Sequence, residues 1–264
     1  MTADADIARL EGAPRWYQSA IALRLLSLAG LLLVWQVAGT LADTNWLPPL
    51  STVIARLVEL VQAGRLGVSL LSSLWTLLLG YGLAVGVGVV LGTSMALSPV
   101  VERAIRFYVD AGLFVPPVVF APIFFAFFGS SIWTLVAVVF VFAVFVVTVS
   151  TQTAVTTADR RLAEMAISFG ADRLTLLREV TLRGAAPMIF SGLQLAMGRA
   201  VKGLIVGEIV VAVVGLGALE RQLSGAFDSP GIWGIALIVV AFALVMTTAV
   251  AAVGRLINAW TRER

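Results

Sequence analysis

The sequence predicts an all-α integral membrane protein with six membrane-spanning helices. Three observations carry that expectation. The 264 residues are 60% hydrophobic and only 12% charged, with a mean hydropathy of +1.01, whereas soluble domains average about 45–50% apolar and about 25% charged residues. Several apolar runs exceed 18 residues, and a spanning helix needs roughly 20. The basic residues are also unevenly distributed about those runs. Cysteine and histidine are both absent, which excludes disulfides, thiolate catalysis, zinc sites built on those residues and imidazole proton relays.

The first apolar run, from about Ile21 to Ala42, follows Arg15 and Arg24. It is too long for a signal-peptide core of about 7–15 residues and reads as a retained span. The loop from Asp43 to Ser69 begins with NWLPPL and continues as the amphipathic piece STVIARLVELVQAG. The six spans are expected at about 22–42, 70–97, 108–128, 132–152, 186–213 and 232–256. In the second, Gly82, Gly86, Gly88 and Gly92 give two small-xxx-small spacings suited to close helix contact. In the third, VPPVVFAP places Pro116, Pro117 and Pro122. Proline frees backbone carbonyls that must be satisfied inside the bundle or in a cavity, so a kink lining a pathway is the preferred reading and a packing kink the alternative. The fifth carries Arg199, Lys202 and Glu208. Buried charges of this kind are costly and usually face a bundle interior or a water-filled cavity. Arg199 and Lys202 are three apart, share a helix face and could offer two positive charges to an anion. They could instead snorkel, or pair structurally with Glu208 or Asp110.

Six spans place both termini on one side, and the arginines decide which. With the N-terminus inside, thirteen arginines fall on the inner segments and three, Arg56, Arg65 and Arg221, on the outer ones. The expected organisation is a cytoplasmic segment 1–20, one transmembrane domain 21–258 and a cytoplasmic tail 259–264. No internal repeat, low-complexity tract or linker divides the chain.

Between the fourth and fifth spans lies a charged cytoplasmic loop, about residues 158–185. Asp159 can cap a helix starting at Arg160, on which Leu162, Met165, Ala166 and Phe169 form one apolar stripe. Gly170 stands where a left-handed residue ends such a helix. Asp172 can cap a second short helix with Leu174, Leu177 and Val180 on one face. A basic amphipathic segment can simply rest on headgroups. Here Glu164, Asp172 and Glu179 interleave with the arginines, a pattern suited to a mixed-charge protein partner.

Glu164-Met165-Ala166, then Gly170, then Val180-Thr181-Leu182 resemble the EAA loop of ABC-importer permeases. The departures are Met165, Val180 and Arg183, the last where that signature has proline; Pro187 follows four residues later. Continuous helical bonding across 180–186 is therefore expected, with Pro187 tolerated in the first turn of the fifth span. Over about residues 45–262 the order LPPLSTVIARLVELVQAGRL, VPPVVFAPIFFAFFG, GLQLAMGRAVKGLIVGEIV and GLGALE resembles the permeases for nitrate, sulfonate, taurine and bicarbonate. Arg199 and Glu208 match charges of that family, whereas Lys202 stands where an apolar residue is usual. The resemblance implies a type I ABC importer permease in a bacterial plasma membrane. Its partners would be a second copy of the permease, two ATP-binding subunits and an extracytoplasmic solute-binding protein, with no nucleic acid. Glu164, Ala166, Gly170, Ala171, Val180 and Leu182 would couple to the ATPase. Arg199, Lys202, Glu208, Pro116 and Pro117 would line the pathway. The cargo implied is a small solute, preferably an anion such as a sulfonate, nitrate or bicarbonate, with a thiamine pyrimidine or riboflavin-like compound as the alternative.

No cofactor is expected in this chain. It has no GxxxxGK[ST] motif, so ATP and magnesium would be used by the partner subunit. An intramembrane enzyme is disfavoured by the absence of GxSxG and HExxH, and by Asp110 standing near a span end without a second aspartate. A secondary transporter would have no need for the charged loop, and no pair of similar halves is visible.

Overall fold

A computed structural model describes residues 20–42, 44, 46–211 and 214–257. The tail 259–264 and nearly all of segment 1–20 lie outside the described residues. The helices are α1 (Ala20–Ala42), α2 (Leu50–Gln62), α3 (Arg65–Leu97), α4 (Pro99–Phe114), α5 (Phe120–Phe128), α6 (Ile132–Thr156), α7 (Arg160–Ser168), α8 (Arg173–Val211), α9 (Leu216–Gly225) and α10 (Ser229–Ile257). No strand occurs among the described residues. Five helices, α1, α3, α6, α8 and α10, are long and apolar enough to cross a membrane, and a sixth crossing is available if the bent pair formed by α4 and α5 counts as one.

Small residues place α6 at the centre. Along α3, Gly80, Ala84, Gly88 and Gly92 recur every fourth residue and are buried. A Cβ on Gly80 would stand 2.6 Å from Val139, and one on Gly88 would stand 2.7 Å from Val147. Gly82 and Gly86 face outward, with nothing within 4 Å. The contact stripe is therefore 80-84-88-92, and of the expected glycines only Gly88 and Gly92 belong to it. From the other side α8 lays Ala185, Ile189, Gly192, Ala196, Gly203 and Gly207 along α6, all buried. Gly192 abuts Ser150 and Gly203 abuts Phe142. Close backbone approach of this kind maximises dispersion contact where lipid supplies no hydrophobic drive. The Tyr81 hydroxyl donates to the Leu193 carbonyl at 2.8 Å and ties α3 to α8.

The outer helices attach more loosely. On α1 most side chains are exposed, and its far end docks on α2. Gln36 donates to Ser51 Oγ at 3.2 Å and accepts from the Ser51 amide at 3.0 Å. The ring of Trp35 lies 5.2 Å from that of Trp233 on α10. Helix α2 is amphipathic, as the sequence expects, with Val53 and Leu60 buried.

The third span differs most from expectation. In place of one kinked helix over 108–128 there are two helices meeting at 91°. Val115 and Pro116 adopt extended backbone, because proline at 116 and 117 removes two donors and disfavours helical geometry in each preceding residue. Pro122 sits in the first turn of α5, where no donor is lost. Three other spans begin or end elsewhere than expected: α3 already starts at Arg65, α6 continues to Thr156, and α8 begins at Arg173. Asp110 is not isolated: Arg106 reaches it at 3.6 Å and Glu102 at 2.7 Å, and Glu102 also accepts from Gln152 of α6 at 2.9 Å.

Candidate functional site

The charged loop is built by local hydrogen bonds. Asp159 Oδ1 accepts from the Arg161 amide at 2.9 Å and starts α7. At the other end Gly170 takes φ +84°. Its amide donates to the Ile167 carbonyl at 2.9 Å, and the Ala171 amide donates to the Ala166 carbonyl at 3.0 Å. That pair of bonds is a Schellman closure, which satisfies carbonyls the helix would otherwise leave orphaned. Gly170, Ala166 and Ala171 therefore determine where α7 stops. Two residues on, Asp172 Oδ1 accepts from the Thr175 amide at 3.2 Å. Hydrogen bonding from Thr175, side chain first and then amide, holds the Asp172 carboxyl below its ordinary range.

The expected second short helix is not separate. From Arg173 the chain runs without interruption to Val211, with residues Leu176–Thr181 wound as a π-helix. No break occurs at Arg183, whose guanidinium pairs with Glu179 at 2.7 Å. Pro187 lies inside this helix, not in its first turn, because the helix starts fourteen residues earlier than proline tolerance alone would place it. The projecting helix α7 is thus joined through the four residues Phe169–Asp172 to a long helix that becomes the fifth span.

Helix α7 is half unsatisfied in its packing. Leu162, Met165, Ile167 and Phe169 are exposed, Phe169 at 86%. Between α7, the start of α8 and the end of α10 lies a cleft of about 780 Å³ lined by Leu162, Met165, Ala166, Val180, Gly184 and Ile257 among others. It brings Ala166 and Val180 together. Glu164 lies on the exposed side of the helix, and Leu182 is half-buried at the base of the lever.

Higher on α8, one face is open. Pro187, Ser191, Leu195, Arg199, Lys202 and Ile209 are exposed at three- to seven-residue intervals while the opposite face packs on α6. Both cations lie on this face, and neither has an ion pair or hydrogen bond among the described residues. Glu208 is elsewhere: it is fully buried, accepts from Ser73 Oγ at 2.7 Å and from the Gly217 amide at 2.8 Å. Ser73 Oγ in turn accepts from the Leu216 amide at 2.9 Å. Glu208 therefore caps the start of α9 and does not pair with Arg199 or Lys202. Pro117 joins Lys202 in lining one cleft, whereas Pro116 is an exposed residue of the break in the third span.

Several contributors were not legible beforehand. Ser73 is 135 residues from Glu208, and nothing in SLLSSL distinguishes Ser73 from Ser69 or Ser72. On the opposite side from α7, Arg56 bonds Asp228 at 2.7 Å and Glu59 at 2.6 Å, and Asp228 also accepts from the Gly231 amide at 3.0 Å to begin α10. Only the amphipathic pattern of α2 hinted at that clasp.

A family model described as "Binding-protein-dependent transport system inner membrane component" matches residues 84–263. The chain is 26% identical over 235 residues to the formylaminopyrimidine transport permease protein ThiX of Halalkalibacterium halodurans, covering 89% of this chain and 94% of that one. It is 28% identical over 259 residues to the taurine transport system permease protein TauC of Escherichia coli K12, covering 94% of each. Among solved structures, it resembles a chain of the MetNI methionine ABC transporter in an inward-facing conformation. That likeness has a TM-score of 0.61 at 14% identity and covers 70% of this chain and 93% of that one.

Proposed function

The chain belongs to the family of binding-protein-dependent transport system inner membrane components, and from that premise we propose how its two charged regions divide the work. It is a permease subunit of an ATP-binding-cassette importer, a multi-pass membrane protein. In the proposed assembly, two permeases pair with two ATP-binding subunits and receive solute from an extracytoplasmic binding protein. Both termini face the cytoplasm of a bacterial inner membrane. ATP and magnesium are used in the ATP-binding subunits.

The observation that carries this reading is the projecting helix α7, closed at Gly170 and continuous through Asp172 with the lever Arg173–Val211. Glu164, Ala166, Gly170, Ala171, Val180 and Leu182 set the shape of that projection. Seating its exposed Met165, Ile167 and Phe169 in a groove of an ATP-binding subunit removes apolar surface from water, about 1.5–3 kcal/mol for each fully covered side chain. Closure of the ATP-binding subunits then moves α7, and the continuous helix passes the movement to the face bearing Arg199 and Lys202. Co-purification tests this. A Phe169→Asp, Met165→Asp double variant should lose the ATP-binding subunit while remaining folded in the membrane. Retention of the subunit at wild-type stoichiometry would overturn the assignment.

The cargo is a small anion, and two cations on the open face of α8, without a partner among the described residues, support that reading. The similarity to ThiX favours a second reading, a vitamin precursor of the pyrimidine kind. Calorimetry of the cognate binding protein against sulfonates, nitrate, bicarbonate and pyrimidines separates the two. Tight binding of a neutral pyrimidine alone would remove the anion.

A further inference from the structure

We infer that Lys202 and the cleft around it form a transit subsite for an organic anion with an apolar body, such as an alkyl or aryl sulfonate or carboxylate, and not for a small hydrated anion. The inference rests on the permease reading and narrows its cargo.

The cleft measures about 810 Å³ and lies between the turn after the third-span break, α6, α8 and α10. Val118, Phe142, Ile205 and Val239 supply its apolar walls, and among the described residues Lys202 is the only charged one lining it. Its one hydroxyl is already engaged, because Thr247 Oγ1 donates to the Ala243 carbonyl at 2.8 Å and to the Leu244 carbonyl at 3.2 Å. Arg199 does not line this cleft, so the two cations of the open face are not equivalent.

Lys202 lies nine residues before α8 ends at Val211, about 14 Å of helix, which puts it well inside a hydrocarbon layer of about 30 Å. A cation at that depth facing lipid is expensive, so such residues face water or a counter-charge. Among the described residues no carboxylate pairs with it. The missing counter-charge is then the passing solute. Nitrate or bicarbonate would find one donor group and apolar walls, and would lose hydration without replacement. An anion with an alkyl or aryl body satisfies both features: its head meets the ammonium and its body meets the walls.

The natural absence of cysteine permits a direct test. Single-cysteine chains, Val240→Cys and separately Leu244→Cys, both at exposed lining positions, are placed in lipid nanodiscs and labelled with a water-soluble maleimide. Reaction is expected, because the cleft is hydrated. Hexanesulfonate at ten times its half-maximal concentration should slow labelling about tenfold, butanesulfonate should require higher concentrations, and nitrate should not protect. Protection should be lost in Lys202→Met and kept in Lys202→Arg. Failure of both cysteines to react, equal protection by nitrate, equal protection by hexanol, or protection persisting in Lys202→Met would each overturn the subsite. Co-purification of the ATP-binding subunit, measured on the same chains, separates failure of the subsite from failure of the permease reading.

Discussion

Replacing Gly170 isolates the geometry of the turn between α7 and α8 from its surface chemistry. The residue holds φ +84°, and an added Cβ would meet nothing within 4 Å. No clash arises, so the cost is conformational alone, about 1–2 kcal/mol for an ordinary L residue in the left-handed region. A difference of that size changes an equilibrium about 5- to 30-fold. It acts on the closed turn between α7 and α8, since the spans pack elsewhere. Valine, β-branched, should show the full effect; asparagine, which tolerates this region, should show little. The assay is solute-stimulated ATP hydrolysis and uptake by the reconstituted importer. Gly170→Val should uncouple the two or lower both, with unchanged thermal unfolding of the spans, and Gly170→Asn should stay near wild type. Equal coupling in all three proteins would mean that the left-handed turn at Gly170 does not govern it.

On the contact stripe, Gly88→Leu must push into Val147, an overpacking cost typically about 1–3 kcal/mol, whereas Gly82→Leu enters open space; thermal unfolding in detergent should separate them, and equal loss would place the stripe wrongly. Glu208→Ala strands the Ser73 hydroxyl and the Gly217 amide, each buried donor costing about 1–3 kcal/mol, so hydrogen exchange along α9 should accelerate in Glu208→Ala more than in Glu208→Gln. The lowered Asp172 carboxyl gives a sign for acid: its cap contributes fully above the ordinary value near 3.8 and is lost as pH falls through the lower folded value. Exchange of the Thr175 amide should therefore be insensitive to loss of this cap between pH 5 and 8, with cap loss appearing only in stronger acid and absent from Asp172→Asn.

How much of this was legible depended on range. Asp159, Gly170 and Asp172 act on residues two to five positions away, so their roles could be read before the fold was known. The stripe on α3 was half visible: glycine spacing announced close contact, but which glycines face α6 depends on helix rotation, and Gly82 and Gly86 lost to Gly80 and Ala84. Proline at 116 and 117 announced a disturbance without its size, since a 91° turn requires both ends of the broken span to find support on α6 and α8. Glu208 was misleading in isolation. Its charge suggested a solute or a cation three or two turns away, while its partners, Ser73 and the start of α9, come from distant sequence. The long lever was hidden because Arg173, Arg178 and Arg183 ended the apolar run that defines a span, although the helix itself continues through them.

The accessibility of Phe169 reports whether α7 docks on an ATP-binding subunit. In a Phe169→Cys chain, the sole thiol stands on a position 86% exposed in the lone permease and should react freely with a maleimide. Strong protection is expected once the ATP-binding subunit assembles, reversed when that subunit is removed. An unchanged labelling rate in a complex that still hydrolyses ATP in response to solute would contradict it.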